Sequence, residues 1–313
     1  MNEIVGFDNF YAEKIEPSLA ELRKECRQAD IWHLVGIGAA ILGFLSFLGY
    51  QAGVLSGPQA SWLFIFFAGW VVFSVYKYTQ RNDRFTDDFK AAIIKTIIDD
   101  VCPGLIYKPG DSVSSREYKT SSLYRYRYDY FDGDDCIEGV INNVSFHCSE
   151  LHVQSDYGYN NQVTVFKGLF FVAKINSRFT GGTYIWPRQR AQLATSVMDE
   201  RYRLLPMPRT ENVHLGDEEF DHYFRVCSTW PSQAIEILSP ELRKSLLHIS
   251  RSMKIALSFS FVAGRCFIGV PVEEDLLEPT EYDPGDKEEI RKYFITIRLI
   301  TNIISQSGLS KLQ

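Results

Sequence analysis

Between Ile31 and Tyr76 the chain has no aspartate, glutamate, lysine or arginine, and apart from tyrosine its one ionisable side chain there is His33. A surface helix of a water-soluble domain keeps a polar face, so that reading fits this stretch poorly. Other shortages narrow the function. The six cysteines, at 26, 102, 136, 148, 227 and 266, show no CxxC spacing, so neither a disulfide framework nor a zinc ribbon is spelled out. P-loop, GxSxG, HExxH and strand-linked GxGxxG patterns are all missing, and with them any motif-based ground for an enzyme or a cofactor. A cationic excess is missing too. After Tyr78 come 28 basic and 32 acidic residues, which argues against broad nucleic-acid binding.

What is present near the N-terminus is a pair of apolar segments, Ile31 to Tyr50 and Gln59 to Tyr78, of 20 residues each. A helix rising about 1.5 Å per residue needs roughly 20 residues to cross a hydrocarbon core of about 30 Å. Gly53, Gly57 and Pro58 break helix between them and permit a tight reversal. Lys14, Arg23, Lys24 and Arg27 precede the first segment, and Lys77, Arg81, Arg84, Lys90 and Lys95 follow or close the second, while the reversal has no basic residue. The expectation is a two-helix transmembrane hairpin with both termini cytoplasmic, in a bacterial inner membrane. Gly36, Ala39, Ala40 and Gly43 offer a small-residue stripe for close approach of the second helix.

The rest divides into a leader (1–30), the hairpin (31–78), a juxtamembrane helix and linker (79–110), and a cytoplasmic domain (111–313). The leader spaces Phe10, Leu19, Leu22 and Cys26 as an amphipathic helix, and Phe85, Phe89, Ile93, Ile97 and Val101 recur every four residues as another. The segment 108–122 reads as a loop or edge strand. Tyr124, Tyr126, Tyr128 and Tyr130 alternate as one face of a strand, Asp132, Gly133 and Asp134 read as a turn, and further strands are expected at 137–142, 144–153, 163–175 and 220–227. Helices are expected at 188–199, 231–238, 287–304 and, opened by Ser239 and Pro240, through Ile249, with a hairpin of 253–261 and 265–270. A run of strands followed by helices gives an α+β fold with a mainly antiparallel sheet.

Four segments carry a resemblance: DYFDGDDCIEGVI (129–141), VSFHCSELHVQ (144–154), VFKGLFFVAKINSRFTGGTYIWPR (165–188) and YFRVCSTWPSQAIEILSPEL (223–242). Following a hairpin, they resemble the bacterial domain-of-unknown-function family 3137. The resemblance implies a membrane-anchored protein of unassigned activity, with a LemA-type membrane protein as a suggested partner, and no catalytic residues to carry over.

The chemistry-bearing residues have plainer readings beside the functional ones. Asp132, Asp134, Asp135 and Glu138 could hold a divalent cation. Counting from Asp132 as an EF-hand loop, however, puts Ile137 where glycine belongs and Asn143 where glutamate belongs, so a solvated turn is favoured. His147, Cys148, Glu150 and His152 look like zinc ligands in line. On a strand His147 faces away from the other three, and a strand with a buried cysteine is favoured. The Tyr–Arg alternation of 124–130 could stack on RNA, but a packed aromatic strand is the better reading, as is a core strand rather than a peptide-binding edge for 163–175. The expectation is a non-enzymatic, membrane-anchored module that binds another protein. The alternatives are a hydrolase or metal-dependent enzyme assembled from distant residues such as Asp134, Glu138 and His152, and a sensor of a small ligand or lipid.

Overall fold

The computed structural model describes residues 7–156, 162–176, 180–188, 209–278 and 286–313, with only the backbone of 18, 20–30, 81–88 and 91. The chain forms two compact units, one of 1–96 with 279–291 and one of 97–278 with 292–313.

In the first unit a π-helical turn, Tyr11–Ile15, leads into α1 (Glu16–Gln51), and α2 (Gly57–Val101) follows a five-residue reversal. The leader helix runs on into the first apolar segment in α1, and the second segment is continuous with the juxtamembrane helix in α2. No glycine or proline stands between Tyr78 and Phe89 to interrupt the latter. Ile31–Gln51 and Gly57–Gln80 are long and apolar enough to cross a membrane. They meet through the small-residue stripe: a Cβ on Gly36 would lie 3.3 Å from Cβ of Ser74, and one on Gly43 would lie 3.4 Å from Cβ of Phe67. Trp32 meets Phe73 edge-on at 5.8 Å, and His33 lies 5.3 Å from Tyr78. The leader is held at the start of α7 (Lys287–Gln306), where Lys287 pairs with Asp8 at 2.8 Å and Arg291 lies over the Phe7 ring. Phe7, Phe10, Ile15 and Leu19 are buried, whereas the Leu22 and Cys26 side chains lie outside the described residues.

The second unit is built on one nine-stranded sheet in which every described pairing is antiparallel. Its strands are β1 (Ile106–Lys108), β2 (Tyr130–Ile141), β3 (Val144–Asp156), β4 (Gln162–Lys174), β5 (Gly182–Pro187), β6 (Glu211–Val213), β7 (Phe224–Ser228), β8 (Ser258–Val262) and β9 (Arg265–Pro271), in the order β1-β2-β3-β4-β9-β8-β5-β7-β6. The helices are α3 (Ser115–Ser121), α4 (Glu218–Tyr223), α5 (Pro231–Ile237), α6 (Pro240–Met253) and the later part of α7. This is the α+β architecture expected, with β4 as a central strand between β3 and β9. The φ > 0 residue Lys254 ends α6, and Ser239 accepts from Leu242 N–H at its start as the sequence implies.

Several local expectations are corrected. The segment 122–129 is irregular rather than a strand. Its tyrosines turn inward, where Tyr124 stacks on Tyr118 and packs 4.4 Å from Phe166, within a core of Leu151, Val153, Phe170 and Phe267. Ring burial decided that path over ladder pairing. Ser114 and Glu117 form a capping box that opens α3 inside the expected loop. Asp217 caps α4 over residues expected as strand, leaving β7 to begin at Phe224. Asp132 to Asp134 lie within β2 and do not form a turn. Of the helix expected at 188–199, residues 189–199 lie outside the described residues.

Candidate functional site

The site begins with a fault in the β2–β3 ladder. Asp134 lies opposite Glu150, and the next paired residues are Ile137 and Cys148, so Asp135 and Cys136 together face Ser149 alone. One surplus residue makes a bulge, and Asp135 takes it with φ +56°, a left-handed conformation that aspartate tolerates better than most residues. The amides displaced from the ladder find carbonyls in the loop after β1: Asp135 N–H donates to Pro109 at 3.0 Å, and Cys136 N–H to Asp111 at 3.1 Å. The Asp135 side chain is 2% exposed and accepts a hydrogen bond from the Tyr107 hydroxyl.

A second segment, the loop after β9, is pinned to the same place. Gly168 on β4 has φ +132°, and a Cβ there would stand 2.2 Å from the Val270 carbonyl oxygen and 2.5 Å from Val272 N. Only glycine admits that approach. Val272 N–H then donates to Lys167 O at 3.0 Å, Lys167 Nζ pairs with Asp275 at 2.7 Å, and Leu276 N–H donates to Glu150 Oε2 at 3.1 Å. The loop thereby delivers Glu278. Carboxylate oxygens of Asp134, Asp135 and Glu278 all lie within 4.8 Å of one another.

Burial pushes the Glu150 carboxyl up to about 7. The Leu276 N–H acts against that rise, and the charges of Asp134, Asp275 and Asp135 add to it. The Tyr107 hydroxyl is raised by burial, then by the charge of Asp135 and its hydrogen bond, and further by Asp134 and Glu278. Nearby sulfur is unsuited to ligation at neutral pH. Burial, with Glu138 and Asp111, takes the Cys136 thiol up to about 11, and burial raises Cys148 well above its ordinary value. The donor set is therefore oxygen, the chemistry of hard cations.

The residues named from sequence separate here. Asp134 and Asp135 come together with Glu278, and Glu150 lies across the ladder from Asp134. Glu138 is instead paired with Lys108 at 2.8 Å. His147 lies 3.4 Å from Glu117, which also holds Arg265 at 2.9 Å, and His152 contacts the Thr164 hydroxyl at 3.2 Å. Asp132 lies across from His152 and accepts from its neighbour's amide, Gly133 N–H, at 3.0 Å. Glu138 and His147 form one cross-strand pair, whose side chains point to the face opposite that of Glu150 and Cys148. Sequence reasoning missed Glu278 and Tyr107; the acidic run Glu273, Glu274, Asp275 was the available signal for the first.

No curated protein matches the chain. Among solved structures, the crystal structure of the mycobacterial trehalose monomycolate transport factor A is 8% identical over 70% of this chain and 94% of that one, at a TM-score of 0.32, a likeness too slight to carry an argument. The family whose sequence model matches covers two of the four segments that carried the resemblance, 165–188 and 223–242, while 129–141 and 144–154 precede the match. Residues 164–309 match the sequence model of the family described as "Protein of unknown function (DUF3137)".

Proposed function

We propose that this protein is anchored in a bacterial inner membrane by a helical hairpin with both termini cytoplasmic, and that its sheet domain is a non-enzymatic module binding another protein. One observation carries the anchoring. The hairpin is inverted relative to a water-soluble helix pair: Leu34, Ile41, Phe44, Phe64, Ile65 and Val72 are exposed, while Ser46 and Ser74 are buried. Water penalises such a surface, and hydrocarbon does not. The flanking cations supply the orientation. Protein binding is supported by Trp230 and Ile235, 56% and 57% exposed at the cap and on the surface of α5, which packs beside the edge strand β6. Aromatic and aliphatic anchors of this kind recur at interfaces. A LemA-type membrane protein is the partner class to test first.

Three measurements test the reading. Alkaline carbonate extraction should leave the protein in the membrane pellet, and a reporter fused after Gln313 should be active on the cytoplasmic side. Release into the soluble fraction, or periplasmic reporter activity, overturns the anchoring. Crosslinking in native membranes should return one dominant protein partner, and recovery of none overturns the binding role.

A further inference from the structure

We infer that Asp134, Asp135 and Glu278, with the buried Glu150 across the ladder from Asp134, form a calcium site in the sheet domain. Three carboxylates close together are common on protein surfaces without an ion, so the inference needs more than their proximity. Glu150 supplies it. This side chain is 7% exposed, and Oε1 has no hydrogen-bond partner among the described residues while Oε2 is held by Leu276 N–H. Its strand position is directly across from Asp134, and cross-strand partners present their side chains to the same face. A buried carboxylate oxygen left without a donor is costly, and a cation is the partner that an acidic neighbourhood would accept.

The construction also points to a ligand. A bulge sets the Asp135 backbone at φ +56°, loop carbonyls satisfy the displaced amides, and a close glycine approach at Gly168 seats the loop that carries Glu278. Asp135 is fixed by the Tyr107 hydroxyl, an outer partner that orients a ligand in the way metal sites use. Calcium accepts six to eight oxygens in flexible geometry, whereas magnesium keeps several waters and takes one or two carboxylates. Three converging carboxylates from β2 and the loop after β9, with a fourth buried beside them on β3, therefore favour calcium. The inference does not rest on membrane anchoring.

The test uses the full chain in detergent micelles, freed of metal by chelation and exchanged into chelator-free buffer. Calorimetric titration with calcium chloride should show one site with a dissociation constant of about 10⁻⁵ M or tighter, in the range of carboxylate calcium sites, and magnesium should compete weakly. Terbium, a luminescent calcium substitute, should be sensitised by Tyr107, and Y107F should reduce that emission and weaken calcium together, since it frees the Asp135 carboxylate. The exposed Glu278→Gln and the buried Glu150→Gln should each weaken calcium at least about tenfold. The control D132N, on the same strand, should not. Circular dichroism of E278Q confirms that a loss belongs to the site and not to the fold. Failure to saturate below about 1 mM calcium, or unchanged affinity in E278Q, overturns the inference.

Discussion

In the hairpin, phenylalanines 44, 64 and 66 face outward and Ser46 and Ser74 are buried; in the sheet domain, phenylalanines 166, 170 and 267 are buried to 1% exposure or less. The same residue type takes opposite positions in one chain because each region is solved for a different surrounding. Where water is outside, rings gather into a core such as the one around Tyr118, whose ring lies 5.3 Å from Phe170 and 6.0 Å from Tyr124. With hydrocarbon outside, as the proposed anchoring has it, burial of apolar surface would give no drive to association, and close backbone approach at Gly36 and Gly43 takes its place. Charge follows the same division, with carboxylates gathered beside β2 in one region and no Asp, Glu, Lys or Arg from Ile31 to Tyr76 in the other.

Substitutions can break that contrast from either side. The largest effect is expected from Phe170→Ala, which empties the centre of the ring cluster and should cost about 3–5 kcal/mol in denaturant unfolding of the sheet domain. Ile41→Arg places a cation midway along the first apolar helix, at a cost of about 2.5–3.5 kcal/mol, and should move protein out of the membrane fraction in cell fractionation. Phe170→Ala should not do so.

A smaller and pH-dependent pair sharpens the contrast within the sheet. Glu117 is raised by burial, but hydrogen bonds from Ser114 and the charge of His147 outweigh this and hold it below its ordinary value. Its contribution is therefore present above that value of 4.5 and lost as pH falls through the lower folded value. E117Q should flatten the acid limb of the stability curve. Glu150 has the opposite sign. With chelator present, stability should fall as pH rises from 4.5 to about 7, because the unfolded chain releases a proton that the fold retains. E150Q should remove that slope, measured by urea unfolding at stepped pH. The smallest effect on stability is expected from Trp230→Ala, within about 0.5 kcal/mol, yet it should abolish crosslinking to the partner.

What the sequence made legible follows the range of the interactions involved. The hairpin, its small-residue stripe and the Ser239–Pro240 helix start are written within a few consecutive residues, and each appears in the fold. The capping box of Ser114 and Glu117 was equally local, but the Ser- and Gly-rich surroundings outweighed it in the reading of 108–122. The candidate site was half legible. Asp134 and Asp135 stand out in an acidic run, but their joint geometry depends on a bulge whose displaced amides bond to Pro109 and Asp111. Glu278 reaches them only through Lys167, Gly168 and Glu150, contacts between segments more than 100 residues apart. Period and spacing hold no information at that range.

Both outer strands of the nine-stranded sheet, β1 and β6, are only three residues long. Under the proposed anchoring, tethering would confine copies to a plane and raise their encounter rate, so a long open margin would invite neighbours to zip together into ribbons. Margins this short give an incoming strand too few backbone partners to hold. Anchored copies would then share a membrane surface without strand-to-strand joining, leaving side-chain recognition to choose their associates.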